Sequence, residues 1–287
     1  MFGIVAAIYS SFFLALAQGS LKKSYKDFEP SVAFFFDMIF GLVLWIPLSI
    51  YFGINFQNII HALPYAIISA VLSEALYFYA LSKGQLSITA ILIGSYPIYT
   101  IFLSYLINNE RLTFFQVIFI SITILGTLIT YLPSKLNFKE LRRSGALIWP
   151  IIAAIGVGFS DTLSKRIINK TLDFSFLFSL SIVQILVSLI FLRIEKQKIS
   201  NSIKKVLLNF NLYKNAVSGS LFNIIGTGLL WISFSKTLAS IASPITATSG
   251  AIVVLFAIIF LDEKISIRSV LGLMLVFIGI MGITVNI

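Results

Sequence analysis

The sequence predicts an all-α polytopic membrane protein of ten transmembrane helices arranged as two inverted five-helix repeats. Three observations predict it: the composition, the recurrence of apolar runs of spanning length, and an internal duplication at a fixed offset. Of 287 residues, 58% are hydrophobic and 11% charged, with a mean hydropathy of +1.00. That is far more apolar than the roughly 45–50% of an ordinary soluble domain. Crossing the bilayer core takes about 20 predominantly apolar residues. Runs of that length fall at about 2–20, 32–53, 61–82, 86–107, 113–132, 146–164, 174–194, 212–235, 241–261 and 267–286.

The first span opens MFGIVAAIYSSFF, without a basic n-region or a small-residue cleavage site, so it reads as a spanning helix rather than a signal peptide. The second carries Asp37 about two turns in, close enough to its end to reach interfacial water. The third holds Glu74 near its middle. In the fourth, GSYPIYT places Pro97 where its missing N–H frees the carbonyl of Ile93, which predicts a kink flanked by Tyr96, Tyr99 and Thr100. The fifth contains Gly126. Asp161 lies within a turn of the end of the sixth and is again expected at the interface. The seventh bears the i, i+4 polar pair Gln184 and Ser188. The eighth sets Asn223, Thr227 and Trp231 at four-residue steps on one face. The ninth is rich in small and hydroxyl residues (SPITATSG), and the tenth carries Gly272, Gly279 and Gly282. Only 195–211 resembles an extended polar loop, leaving no room for a soluble domain.

The duplication is visible residue by residue. YALSKGQLSITA from Tyr79 aligns with ISFSKTLASIAS from Ile232, so that Ser82-Lys83 falls on Ser235-Lys236. At the same offset of 153, Asn109-Glu110-Arg111 falls on Asp262-Glu263-Lys264 and Gly126 on Gly279. Nearer the start of each half, Leu21-Lys22-Lys23 matches Leu163-Ser164-Lys165 at an offset of 142. The units run over 1–134 and 144–287. Five helices per unit is odd, so the second copy enters the membrane from the opposite side. That is the geometry of many alternating-access carriers, whose substrate site lies between repeats near the midplane.

The run of Tyr79-Ala80-Leu81, a small-residue helix with Pro97, Asn109-Glu110-Arg111 and a helix with Gly126, repeated as Asp262-Glu263-Lys264 and a glycine-bearing helix, resembles the EamA repeat of the drug/metabolite transporter superfamily. The resemblance covers essentially the whole chain. It implies a ten-helix transporter of small metabolites or amino acids, often an exporter, with a central cavity. One departure is that Gly250 replaces the proline at the counterpart of Pro97, with Pro244 six residues earlier, so the two halves need not bend alike.

The 21 Lys and Arg residues lie in connections or at span ends. Sixteen follow odd-numbered spans and five (Arg111, Lys165, Arg166, Lys170 and Lys236) follow even-numbered ones, which by the positive-inside rule places both termini outside the cytoplasm. The resemblance implies the reverse. The net charge of +10 thus reads as loop anchoring rather than nucleic-acid binding.

Glu74 is the deepest charge. Placing it there costs roughly 2.5–3.5 kcal/mol on insertion scales, so it must face a wet cavity, pair, or hold a proton. It is read as a proton acceptor or the partner of a substrate amine; a protonated Glu bonded to a neighbouring helix is the structural alternative. Thr227 is its counterpart at the repeat offset. With Tyr77, Tyr96, Tyr99, Gln184, Asn223, Thr227 and Trp231, it forms the expected substrate-binding or coupling set. The sequence lacks cysteine and has one His, and it offers no Walker loop. No metal, cofactor or catalytic residue is therefore assigned, and the chain is read as a non-enzyme. The expected partners are a small-molecule substrate, protons and the lipid bilayer, with no nucleic acid, for a monomer or homodimer in a bacterial cytoplasmic membrane. A structural membrane subunit and an intramembrane enzyme are the rival readings; the enzyme would need a buried His or Lys beside Glu74.

Overall fold

The computed structural model describes residues 1–24, 29–83, 92–131, 148–171, 174–198, 201, 204, 210–253 and 267–285. Every regular element among them is helical: α1 (Phe2–Ser24), α2 (Pro30–Phe52), α3 (Phe56–Ile68), a π-helical turn (Ser69–Ala75) leading into α4 (Leu76–Lys83), α5 (Tyr96–Asn108), α6 (Phe114–Tyr131), α7 (Ile148–Thr171), α8 (Ser175–Ile194), α9 (Phe210–Lys236), α10 (Ala239–Ala247) and α11 (Ile267–Val285). Six described helices are long and apolar enough to cross a membrane, and 92–108, 114–130 and 239–253 are shorter apolar helices. The Asn109-Glu110-Arg111 motif is described, whereas its second copy, Asp262-Glu263-Lys264, lies outside the described residues, as does most of 195–211.

Local chemistry sets the ends. α2 starts on Pro30, where a missing N–H costs nothing, and stops at Gly53, whose φ of +106° no other residue adopts comfortably. The Asn55 side chain caps α3 by accepting from the N–H groups of Gln57 and Asn58 at 2.9 and 3.3 Å.

The packing pairs the halves. α1 lies on α9 as α7 lies on the α3–α4 rod; α5 on α7 as α10 on α1; α3 on α8 as α9 on α2. α6 and α11 pack on each other through glycines, and the contact occurs twice. A Cβ on Gly126 would stand 2.8 Å from the carbonyl oxygen of Gly272, and one on Gly279 would stand 2.8 Å from that of Phe119. Gly272 is the 153-offset counterpart of Phe119, so these are one contact with the halves exchanged. Close approach of this kind is what small residues provide between membrane helices.

Inside, Phe34, Phe78, Phe176 and Phe234 are fully buried, and the Phe34 ring lies 5.2 Å from that of Phe78. Outside, Val43, Phe102, Phe277 and Met281 are each more than half exposed, an apolar surface suited to lipid rather than water.

Candidate functional site

A cavity of about 100 Å³ lies between the halves, lined from α1, the π turn, α4, the segment around Gly94, α7, α9 and α10. Glu74, Tyr77, Tyr96, Asn223 and Thr227 of the expected set all line it. Three others do not. Tyr99 packs in a cluster with Ala154 and Val157, its Cβ 2.6 Å from where a Cβ on Gly158 would stand. Gln184 is buried near Gly41 between α8 and α2. Trp231 belongs to a second, aromatic cavity with Trp45, Phe52 and Phe176, its ring edge-on to Phe176 at 5.6 Å. Thr227 and Trp231 share a helix face, but the long indole reaches along the helix into the neighbouring space.

Asp37 and Asp161, expected at the interface, are both buried, 0% and 3% exposed. The Asn223 amide donates to Asp37 Oδ2 at 2.7 Å and also bonds Glu74. Ser243 Oγ donates to Asp161 Oδ2 at 2.6 Å, while Thr100 bonds the same carboxyl group. Tyr96 Oη donates to the Ser243 carbonyl at 3.0 Å, tying α5 to α10. Gln18 of α1, which no sequence signal singled out, bonds Tyr77 and donates to Ser249 Oγ at 3.1 Å. Asp37 of α2 and Glu74 of the π turn thus share the Asn223 amide, while Asp161 of α7 is held separately by Ser243 and Thr100 and meets Glu74 at the cavity wall.

Among the described residues, none that lines the cavity is Lys, Arg or His. Lys165, one turn beyond Asp161, is buried but directed away: its ammonium bonds the Phe234 carbonyl and faces Glu110. Among the described residues, no group of three His, Cys, Asp or Glu is arranged to hold a metal ion.

Two helix breaks flank the cavity. Residues 92–94 are helical, Ser95 is a turn, and α5 starts at Tyr96. α10 ends before the turn at Thr248, and helix resumes at 249. Thr248 is the 153-offset counterpart of Ser95. Each hydroxyl donates to the carbonyl three residues back, Ser95 to Leu92 and Thr248 to Ile245, both at 2.6 Å. The halves therefore do break alike, although only one has the proline: the hydroxyl-to-carbonyl bond, present in both, competes with the regular ladder. Glu74 and Ser73 sit in the π-helical turn of a third element, a feature frequent at functional sites.

The family model of the EamA-like transporter family matches residues 1–132 and again 144–285. The chain belongs to the EamA-like transporter family. Within reach of this EamA protein, an uncharacterized transporter of Archaeoglobus fulgidus is 26% identical over 271 residues, 91% of this chain and 90% of the relative. An uncharacterized protein of Methanocaldococcus jannaschii is 27% identical over 141 residues, which is 49% of this chain but 97% of that protein. One solved crystal structure superposes with a TM-score of 0.71 at 13% identity, covering 99% of this chain and 96% of its own, which shows a shared fold.

Proposed function

We propose that this EamA protein is a secondary carrier of ten crossings, built from two inverted five-helix units at 1–134 and 144–287. It moves a small amphipathic metabolite, an amino acid or related compound, out of the cell across the cytoplasmic membrane by alternating access. The observation that carries the reading is the cavity between two helices broken at equivalent positions, with buried carboxylates at its wall. Discontinuous helices at a repeat interface are where carriers of this build hold substrate and coupling ion. The glycine contact repeated with the halves exchanged supports the inverted arrangement.

Glu74, Tyr77, Tyr96, Asn223 and Thr227 are the substrate or coupling groups in this reading, with Asp37 and Asp161 added to them. Protons are the coupling partner. The test is transport in liposomes of a labelled pool of amino acids and small metabolites under an imposed pH gradient, by the native chain and by Glu74→Gln. Gradient-driven movement that disappears in the variant supports a coupled carrier. Equal movement by both removes Glu74 from the coupling role, and no movement by the native protein sinks the carrier reading.

A further inference from the structure

The charge balance of the central cavity narrows the cargo from the amphipathic metabolites of the carrier reading, on which it rests, to those without a free carboxylate, amines rather than amino acids. Asp37, Glu74 and Asp161 are all buried, and among the described residues every side chain hydrogen-bonded to them is neutral: Asn223, Ser243 and Thr100. The nearest ammonium on the same helix, Lys165, is committed to the Phe234 carbonyl. Among the described residues no cation is paired with these acids, which leaves a proton or a bound cation to neutralise them.

Two acceptor oxygens are unspent. Asp37 Oδ1 is buried without a hydrogen-bond partner, and so is Oγ1 of Thr246, a residue of the cavity wall. A buried polar atom left unpaired costs about 1–3 kcal/mol, and an N–H donor entering the cavity relieves that cost at Thr246, which lines it; Asp37 stands behind the wall. The volume of about 100 Å³ is smaller than a cavity of about 150 Å³ that takes up benzene, which suits a compact head group. Leu14, Ile93 and Leu230 supply the apolar wall for a carbon chain.

We propose that the cargo binds as an organic ammonium, its N–H groups directed to Glu74, Asp161 and Thr246 within the field of Asp37, and that compounds bearing a free carboxylate are rejected. The rejection follows from the same inventory: a carboxylate brought here meets acids and, among the described lining residues, no cationic donor, so whichever acids are ionised repel it.

The experiment is thermal unfolding of the purified full-length chain in detergent, with propylammonium chloride, sodium propionate, β-alanine and sodium chloride compared at equal ionic strength. Relative to the same buffer without additive, propylammonium is expected to raise the midpoint by about 3 °C at ten times its dissociation constant, and the other three to leave it unchanged. Asp161→Asn is expected to abolish the rise. Thr246→Val, which keeps all three acids, is expected to weaken it while folding normally. Stabilisation by propionate or β-alanine equal to that by propylammonium overturns the proposal. So does an equal effect of sodium chloride, which assigns the site to an inorganic cation, and so does no shift with any probe, which leaves protons as the neutralising charge. Ammonium binding without liposome transport of any labelled compound would sink the carrier reading alone; transport of a zwitterion without ammonium binding would sink this proposal alone.

Discussion

Glu110 and Ser240 are joined by two hydrogen bonds to one carboxylate oxygen: the Ser240 N–H donates to Oε2 at 2.9 Å and its hydroxyl at 2.6 Å, while the neighbouring Ala239 N–H donates to Oε1 at 3.0 Å. An acid placed just past the end of α5 thereby closes the open N-terminus of α10, where unpaired N–H groups and the helix dipole favour negative charge. The acidic motif after α5 is thus a clasp between the halves.

Glu110→Ala is expected to destabilise the protein by about 1.5–3 kcal/mol, the usual cost of removing hydrogen bonds to a charged group. Ser240→Ala removes one of the three bonds and is expected to cost less than Glu110→Ala. Unfolding midpoints of the two variants in detergent check the order; a larger loss from Ser240→Ala would contradict the clasp.

Gly279→Ala is expected to destabilise by about 1–3 kcal/mol through overpacking. Its new Cβ would stand 2.1 Å from Thr123 Oγ1 and 2.8 Å from the Phe119 carbonyl. Because the second neighbour is backbone, Thr123→Ala relieves only part of the strain, so the double variant is expected to stay below native stability. Full recovery in the double variant would show that the side chain alone sets the approach.

Asn223→Leu is expected to cost about 1.5–3 kcal/mol, because it strips Asp37 Oδ2 of the donor seen at 2.7 Å. Adding Asp37→Leu removes the orphaned acid, so the pair is expected to be non-additive and the double variant less destabilised than the sum of the two singles. Denaturant unfolding of the four proteins closes the cycle.

The chain has no cysteine, so single cysteines report without background. Thr227→Cys, in the cavity wall, is expected to react with small polar thiol reagents, whereas Ser220→Cys, on the same helix but fully buried, is not. A cationic methanethiosulfonate is expected to modify Thr227→Cys about tenfold faster than an anionic one. Equal rates for the two reagents would mean that the three acids do not shape the field in the cavity.

Much of the fold was legible because apolar runs and a repeated offset are written directly in the residue order. Glu74 was legible because a carboxylate interrupts an apolar run, and Thr227 because the offset maps it onto Glu74. Asp161 was misplaced because Lys165 and Arg166 look like the end of a span. α7 continues to Thr171, with Lys165 kept inside by the Phe234 carbonyl, which puts Asp161 ten residues from the helix end. Asp37 was misplaced for a related reason: its depth was counted along one helix, while its burial comes from α9 across the interface. The π turn leaves no mark in the sequence, since SAVLSEA fits an α-helix equally well. The matched breaks were half visible: Pro97 drew attention to one, but the hydroxyl bonds of Ser95 and Thr248 that both share are too common a pattern to stand out.

The doubled glycine contact fixes something about any rocking motion of this molecule. In the proposed alternating-access cycle, a contact that maps onto itself when the halves trade places sits at the pivot, as the pin of a pair of scissors does. If the two halves exchange shapes during a cycle, the Gly126 and Gly279 contacts merely exchange with each other and the crossing of α6 and α11 persists unchanged. In that proposed cycle, damage at the pin would weaken both poses equally, whereas damage at the Glu110 clasp, which ties the end of α5 to the start of α10, would tilt the balance between them.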